Sequence, residues 1–252
     1  MSQNKITQGY RRFAAHTALL TAALMLSACA SGPTANPRDP LEPFNRGVYS
    51  FNDAVDRAVV KPVATAYRDV LPSPVRTGVR NFFNNLQDLW SFVNNTLQLK
   101  GEGAGNSIVR FGVNTVFGLG GLLDVATEMR IERFPEDFGQ TLGRWGVGAG
   151  PYVVLPLLGS STLRDTAALP VDMNGNAVSH IDDNAIRNSA TVLNLVDRRA
   201  RLLDASKLLD EVALDPYTFT RDAFLQRRQS LVYDGNPPDE DVSLPTSDNP
   251  VQ

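Results

Sequence analysis

The sequence is short of the residues that most enzymes need. Among 252 residues it holds one cysteine, Cys29, and two histidines, His16 and His180. With no second thiol there is no intrachain disulfide, so stability must come from packing. A Gly-x-Ser-x-Gly nucleophile elbow is missing: Ser107 and Ser160 lie near glycines without that spacing. Gly118, Gly120 and Gly121 follow an apolar run, but no Lys-Ser/Thr pair comes after them, so they make no phosphate loop. His180, Asp182 and Asp183 could be imagined as metal ligands, yet their neighbours Asn174, Gly175, Asn176 and Asn184 read as a solvated loop. Clusters of Lys and Arg are also wanting. Without the three basic residues of its first 28, the chain has 21 basic against 27 acidic residues, which argues against a nucleic-acid partner. These shortages leave no catalytic residue, cofactor or metal to expect.

What is present begins at the N-terminus. Lys5, Arg11 and Arg12 precede an apolar stretch over residues 13–25, the length of a signal-peptide core and too short to span a bilayer comfortably. It ends in Leu26-Ser27-Ala28-Cys29, the pattern of a bacterial lipobox, with small residues before the cut and a thiol free to take a diacylglycerol. Residues 1–28 therefore read as a lipoprotein signal peptide and Cys29 as the lipidated residue. Two or more acyl chains, at about 0.8 kcal/mol per buried methylene, anchor stably. Ala30, where an Asp would mark inner-membrane retention, points to the outer membrane.

Residues 30–38 are small, polar and proline-broken, a flexible tether. Asp39-Pro40-Leu41-Glu42 reads as a capped helix start. Phe44, Val48, Phe51, Val55 and Val59 then share one helical face, until Lys61-Pro62 ends or kinks the helix. Ser73-Pro74 opens a second helix with apolar positions from Val75 to Leu97. Its other side is rich in amides (Asn81, Asn84, Asn85, Asn94, Asn95), suited to protein, lipid headgroups or a wet cavity. Residues 101–105 read as a glycine break, and residues 108–117 as a third helix stopped by Gly118-Leu119-Gly120-Gly121. Residues 139–150 hold five glycines, too many for a regular helix. Residues 151–158 are apolar with two prolines: a buried strand, a re-entrant hairpin or an interfacial segment. Residues 166–185 read as polar and loop-like, residues 183–206 as a long helix, 208–212 as part of a shorter one, and Asp215-Pro216 as the cap of the last. From residue 234 the chain is Gly, Asn, Pro, Asp, Glu and Ser, a disordered acidic tail.

Several pieces in register resemble the MlaA (VacJ) family of outer-membrane lipoproteins. They include Asp39-Pro40-Leu41-Glu42-x-Phe44-Asn45-Arg46 with Tyr49-x-Phe51-Asn52, then Arg110-Phe111-x-x-Asn114-Thr115. The most specific is Phe138-Gly139-Gln140-Thr141-Leu142-Gly143-x-x-Gly146-Val147-Gly148-x-Gly150-Pro151-Tyr152, continued by Ser161-Thr162-Leu163-Arg164-Asp165. The resemblance covers residues 39–233. It implies an all-α, single ring-like helical domain enclosing an amphipathic channel, with a Gly-rich hairpin beside it. It also implies phospholipids as cargo, a porin trimer as partner and a soluble periplasmic carrier that receives the lipid. Carried over, Phe44 and Asn45 belong to the first helix that helps close the channel. Gly139, Gly143, Gly146, Gly148, Gly150 and Tyr152 belong to the hairpin, expected to act as a gate.

Two functions fit these expectations. One is a conduit that extracts mislocalised phospholipids from the outer leaflet for retrograde transport and so maintains lipid asymmetry. The other is a structural lipoprotein tethering the outer membrane to peptidoglycan or an assembly complex. It accounts for the anchor but not for the glycine-rich apolar segment.

Overall fold

The computed structural model describes residues 36–238. The expected signal segment, Cys29, the tether up to residue 35 and the tail from residue 239 lie outside the described residues. Helices follow one another as α1 (Glu42–Val55), a π turn (Asp56–Val60), α2 (Lys61–Val70), α3 (Ser73–Leu97), α4 (Gly101–Val116), α5 (Val125–Glu128) and α6 (Phe138–Arg144). A two-stranded antiparallel hairpin, β1 (Tyr152–Leu155) and β2 (Gly159–Thr162), interrupts them. Then come α7 (Leu163–Gly175), a 3-10 turn (Ala177–His180), α8 (Asn184–Arg201), α9 (Leu203–Val212) and α10 (Pro216–Val232). The fold is mainly helical, as expected from the sequence.

Pro62 does not end its helix. A proline cannot donate to the preceding turn, and the wider π turn just before it takes up the missing bond, so the helix runs on through α2. Other boundaries differ from the sequence reading. Residues 101–105 make no break: the turn is confined to residues 98–100, with Leu99 at φ 59°, and α4 starts at Gly101. Gly139 and Gly143 lie inside a regular helix after all, because Asp137 caps it by accepting from the Gln140 amide. Much of the segment expected to be loop-like is helix α7, capped by Thr162 and held at its far end where Asp172 accepts from Trp90 Nε1 and the Phe138 amide. The long helix expected over residues 183–206 divides at Leu202.

The larger surprise is which faces are buried. Phe44, Phe51 and Val59, placed on one apolar face, are all exposed, while Asn45 between them is fully buried. In α3 and α4 the buried residues are mostly polar, namely Asn85, Asp88, Ser91, Asn94, Asn95, Ser107, Arg110 and Asn114 beside Phe83 and Gly103, while Val75, Phe82, Leu97, Val109 and Val116 face outward. Buried apolar residues form two small clusters and otherwise lie singly. One joins Ala64 of α2 to Val196, Ala200 and Leu203; another joins Tyr152 and Val154 of β1 to Tyr217 of α10. Among the described residues, no helix is long and apolar enough to cross a membrane.

Candidate functional site

Asn45 and Asn52 are seven residues apart on α1, so both side chains point the same way. That way is toward β1. Asn45 Nδ2 donates to the Tyr152 carbonyl at 3.0 Å and its Oδ1 accepts from the Val154 amide at 2.9 Å. Asn52 repeats the pattern, donating to the Leu155 carbonyl at 2.9 Å and accepting from the Leu157 amide at 2.7 Å. Two side-chain amides thus satisfy the strand edge that β2 leaves unpaired. Asp39 is not the helix cap expected of it. Buried beneath the hairpin, it accepts from Asn45 Nδ2 at 2.8 Å, from the Tyr217 hydroxyl and from Arg221 Nη1 at 3.2 Å. Burial pushes the Tyr217 phenol well above its ordinary value, with the Asp39 carboxylate adding to the shift. The expected pair Phe44 and Asn45 therefore divides its roles: Asn45 holds the hairpin, and Phe44 is left on the surface.

The glycine-rich segment divides as well. A Cβ on Gly139 would come within 2.5 Å of Arg228 Nη2 and 2.6 Å of Asp165 Oδ1; one on Gly143 would lie 2.6 Å from Arg164 Nη1 and 2.9 Å from Val232. Both glycines make room for arginines. Gly146 and Gly150 hold φ of 92° and 68°, where a side chain is strained. Gly148 has neither constraint, and its Cβ would meet nothing within 4 Å. Tyr152 is fully buried at the start of β1, its hydroxyl 2.8 Å from Ser160 Oγ.

Gly143, Gly146, Gly148 and Gly150 converge on one cavity of about 340 Å³. Arg38, Arg164, Arg228, Leu225 and Val232 also line it, whereas Gly139 and Tyr152 do not. Arg228 bridges two carboxylates, with Nη1 at 2.6 Å from Asp137 Oδ2 and Nε at 2.7 Å from Asp165 Oδ2. Burial pushes the Asp165 carboxyl up, but the hydrogen bond and charge of Arg228 outweigh it and hold it below its ordinary value. A second cavity of about 390 Å³ lies beside the clamp, lined by Tyr49, Asn52, Asp53, Ser160 and Arg199 among others.

Sequence reasoning did not single out Asn52, Arg38, Arg164 or Arg228 as functional. The heptad spacing of Asn45 and Asn52 could have revealed the clamp; nothing local marks the arginines. His180 is exposed, its Nε2 2.6 Å from the Asn174 carbonyl. No group of three His, Cys, Asp or Glu among the described residues is arranged to hold a metal ion.

Three comparisons bear on this arrangement. The chain is 39% identical over 225 residues to the intermembrane phospholipid transport system lipoprotein MlaA of Escherichia coli (strain K12), covering 87% of this chain and 89% of that protein. The Haemophilus influenzae protein of the same name is 35% identical, with 91% and 94% covered. A solved structure reported under the words "Structural basis for maintenance of bacterial outer membrane lipid asymmetry" superposes with a TM-score of 0.69 at 39% identity, covering 77% of this chain and 98% of that one. The family model described as MlaA lipoprotein matches residues 37–231, and the chain belongs to that family.

Proposed function

We propose that the protein is anchored through Cys29 on the periplasmic side of the outer membrane, where it extracts mislocalised phospholipids from the outer leaflet. Its helices surround an amphipathic channel and pass the lipid to a soluble periplasmic carrier for retrograde transport, maintaining lipid asymmetry. The observation that carries this reading is the reversed polarity of α3 and α4, with mostly amides and ion pairs inward and Val75, Phe82, Leu97, Val109 and Val116 outward. In water that arrangement exposes apolar surface at a cost of roughly 25 cal/mol per Å². Against acyl chains the cost disappears, and inward polar groups must then find partners within the protein, as in any lipid-embedded structure. The same outward surface suits docking beside a porin trimer. The relatives named for intermembrane phospholipid transport agree with the cargo.

No covalent step is required. Lifting a phospholipid needs an apolar trough for its chains and a polar path for its headgroup, and the two cavities supply mixed walls of that kind. In a strain deleted for this protein, outer-leaflet phospholipid should accumulate, and the wild-type chain should clear it while Cys29→Ser should not. An unchanged leaflet composition in the deletion strain would overturn the reading.

A further inference from the structure

We infer that the cavity under the glycine-rich loop is a phosphate-group site in which Arg164 is the principal donor; this rests on the phospholipid reading above and locates the headgroup within it. Arg164 is 7% exposed, so its guanidinium is almost entirely inside the protein. Its Nε is 3.0 Å from Asp165 Oδ1, and its Nη1 reaches only the Val147 carbonyl, at 3.5 Å. Among the described residues Nη2 has no hydrogen-bond partner, and it is not sealed from the cavity that Arg164 lines. A buried guanidinium with donors left over is costly unless water or an anion completes them, and an anion does so with charge as well as hydrogen bonds.

The surroundings fit a phosphodiester. The wall carries three arginines, Arg38, Arg164 and Arg228, and no carboxylate, since Asp137 and Asp165 are not part of it. The amides of Gly148, Ala149 and Gly150, also in the wall, donate to no protein acceptor among the described residues. Leu225 and Val232 give an apolar flank for the glycerol and the first methylenes. The N-terminus of α7 contributes nothing, because its first amides already donate to Pro151, Ala149 and Thr162. The absence of a side chain at Gly143 leaves the room that the Arg164 guanidinium fills.

The test titrates the purified full-length lipoprotein with dihexanoylphosphatidylglycerol and, separately, with inorganic phosphate, followed by phosphorus NMR. Arg164→Gln should weaken lipid binding at least ten-fold, with Arg164→Lys in between. Gly148→Glu should bind at least ten-fold more weakly than Gly148→Gln, because only the first adds a negative charge to the wall; this pair decides alone if Arg164→Gln fails to fold. Phosphate competing with the lipid, and losing affinity in the same variants, supports a site for the shared group. Binding of phosphate with no binding of lipid overturns the headgroup as its source. Lipid bound equally by wild type, Arg164→Gln and Gly148→Glu overturns the site but not the transport reading. A wild-type protein that binds no phospholipid overturns the transport reading itself.

Discussion

The seam between α3 and α4 and the hairpin region solve the same problem by opposite means. In the seam, position is set by polar side chains: Arg110 Nη2 donates to both Asp124 oxygens at 2.8 and 3.0 Å, and Asp88 is shared between Arg133 at 2.6 Å and Arg110 at 3.5 Å. Asn94 accepts from Thr141, and Asn114 bonds both Asp124 and the Ala126 amide. Around the hairpin, Tyr152, Val154 and Tyr217 pack against Val48, Tyr49, Phe224 and Leu225, with Asn45, Asn52 and Asp39 among the polar anchors. On the reading proposed above, a region whose outer face meets lipid gains little from hydrophobic burial inside, so directional bonds must fix its shape. The hairpin region adds a small apolar cluster to its polar bonds.

The comparison breaks most sharply at Arg110. Both it and Asp88 are almost fully buried, and removing one partner of such a pair costs about 3–5 kcal/mol. Arg110→Met should lower the unfolding free energy by that amount in denaturant titrations of the purified protein. A loss below about 1 kcal/mol would mean that packing, not polarity, holds the seam. Next in size is Asn45→Ala, which leaves the Tyr152 carbonyl, the Val154 amide and Asp39 each short of a partner. At about 1 kcal/mol per bond lost, a cost of about 2–3 kcal/mol is expected. Hydrogen exchange should quicken at Val154 while α3 and α4 keep their protection.

Acid should separate the two regions. Burial raises the Asp88 and Glu136 carboxyls on one side of the seam, although Arg133 and Lys100 pull them back, while on its other side hydrogen bonds from Thr127 and Asn114 outweigh burial and hold Asp124 below its ordinary value. In Asp88 and Glu136, the folded protein holds the proton more tightly than the unfolded chain. Their contribution to stability is therefore fully present below the ordinary carboxylate range and is lost as pH rises through their folded values. Asp165, beside the cavity, is lowered, so its contribution is present above its ordinary value of 3.8 and is lost as pH falls through its lower folded value. On acidification, hydrogen exchange should accelerate at the contact of α6, α7 and α10, where Arg228 meets Asp165, before it does on the Asp88 side of the seam. The Asp88 side opening first would reverse the assignment.

The fold was legible where a residue acts on its own neighbours. Asp215-Pro216 does cap α10, with Asp215 accepting from the Tyr217 and Thr218 amides, and Gly118 to Gly121 do end α4 in a turn. The amide-rich side of α3 stands out in the sequence, and in the structure it is turned inward, with Asn85, Asn94 and Asn95 bonding within the fold. What periodicity could not give was direction. The spacing of Phe44, Val48, Phe51, Val55 and Val59 is the same whether that face meets a core or a bilayer, and only the structure shows that Phe44, Phe51 and Val59 are exposed. Asp39 defeated local reasoning for another reason, since its partners Tyr217 and Arg221 lie about 180 residues away. The glycine segment was visible as a unit, but its members are separated by close approach to distant arginines at Gly139 and Gly143 and by positive φ at Gly146 and Gly150.

That separation gives the smallest expected stability effect and the sharpest test of a gate. Gly143→Val should cost about 1–3 kcal/mol, because its side chain meets Arg164 and Val232, neither free to move without disturbing the cavity. Gly146→Val should also destabilise, since φ of 92° is costly for any side chain, so lost transport there would prove little about motion. Gly148 is different. It has open space around its Cβ and no left-handed backbone, so Gly148→Val should change stability by less than about 0.5 kcal/mol. A β-branched residue nevertheless stiffens the loop between α6 and β1 at the cavity wall. If that loop must move for a lipid to pass, Gly148→Val will be abundant, will keep its unfolding midpoint and will still fail to clear outer-leaflet phospholipid. The comparison to make is leaflet composition against protein level for Gly143→Val and Gly148→Val side by side. Full clearance by a well-expressed Gly148→Val would show that the loop serves as a fixed wall, leaving Gly139 and Gly143 as packing residues and the segment without a gate.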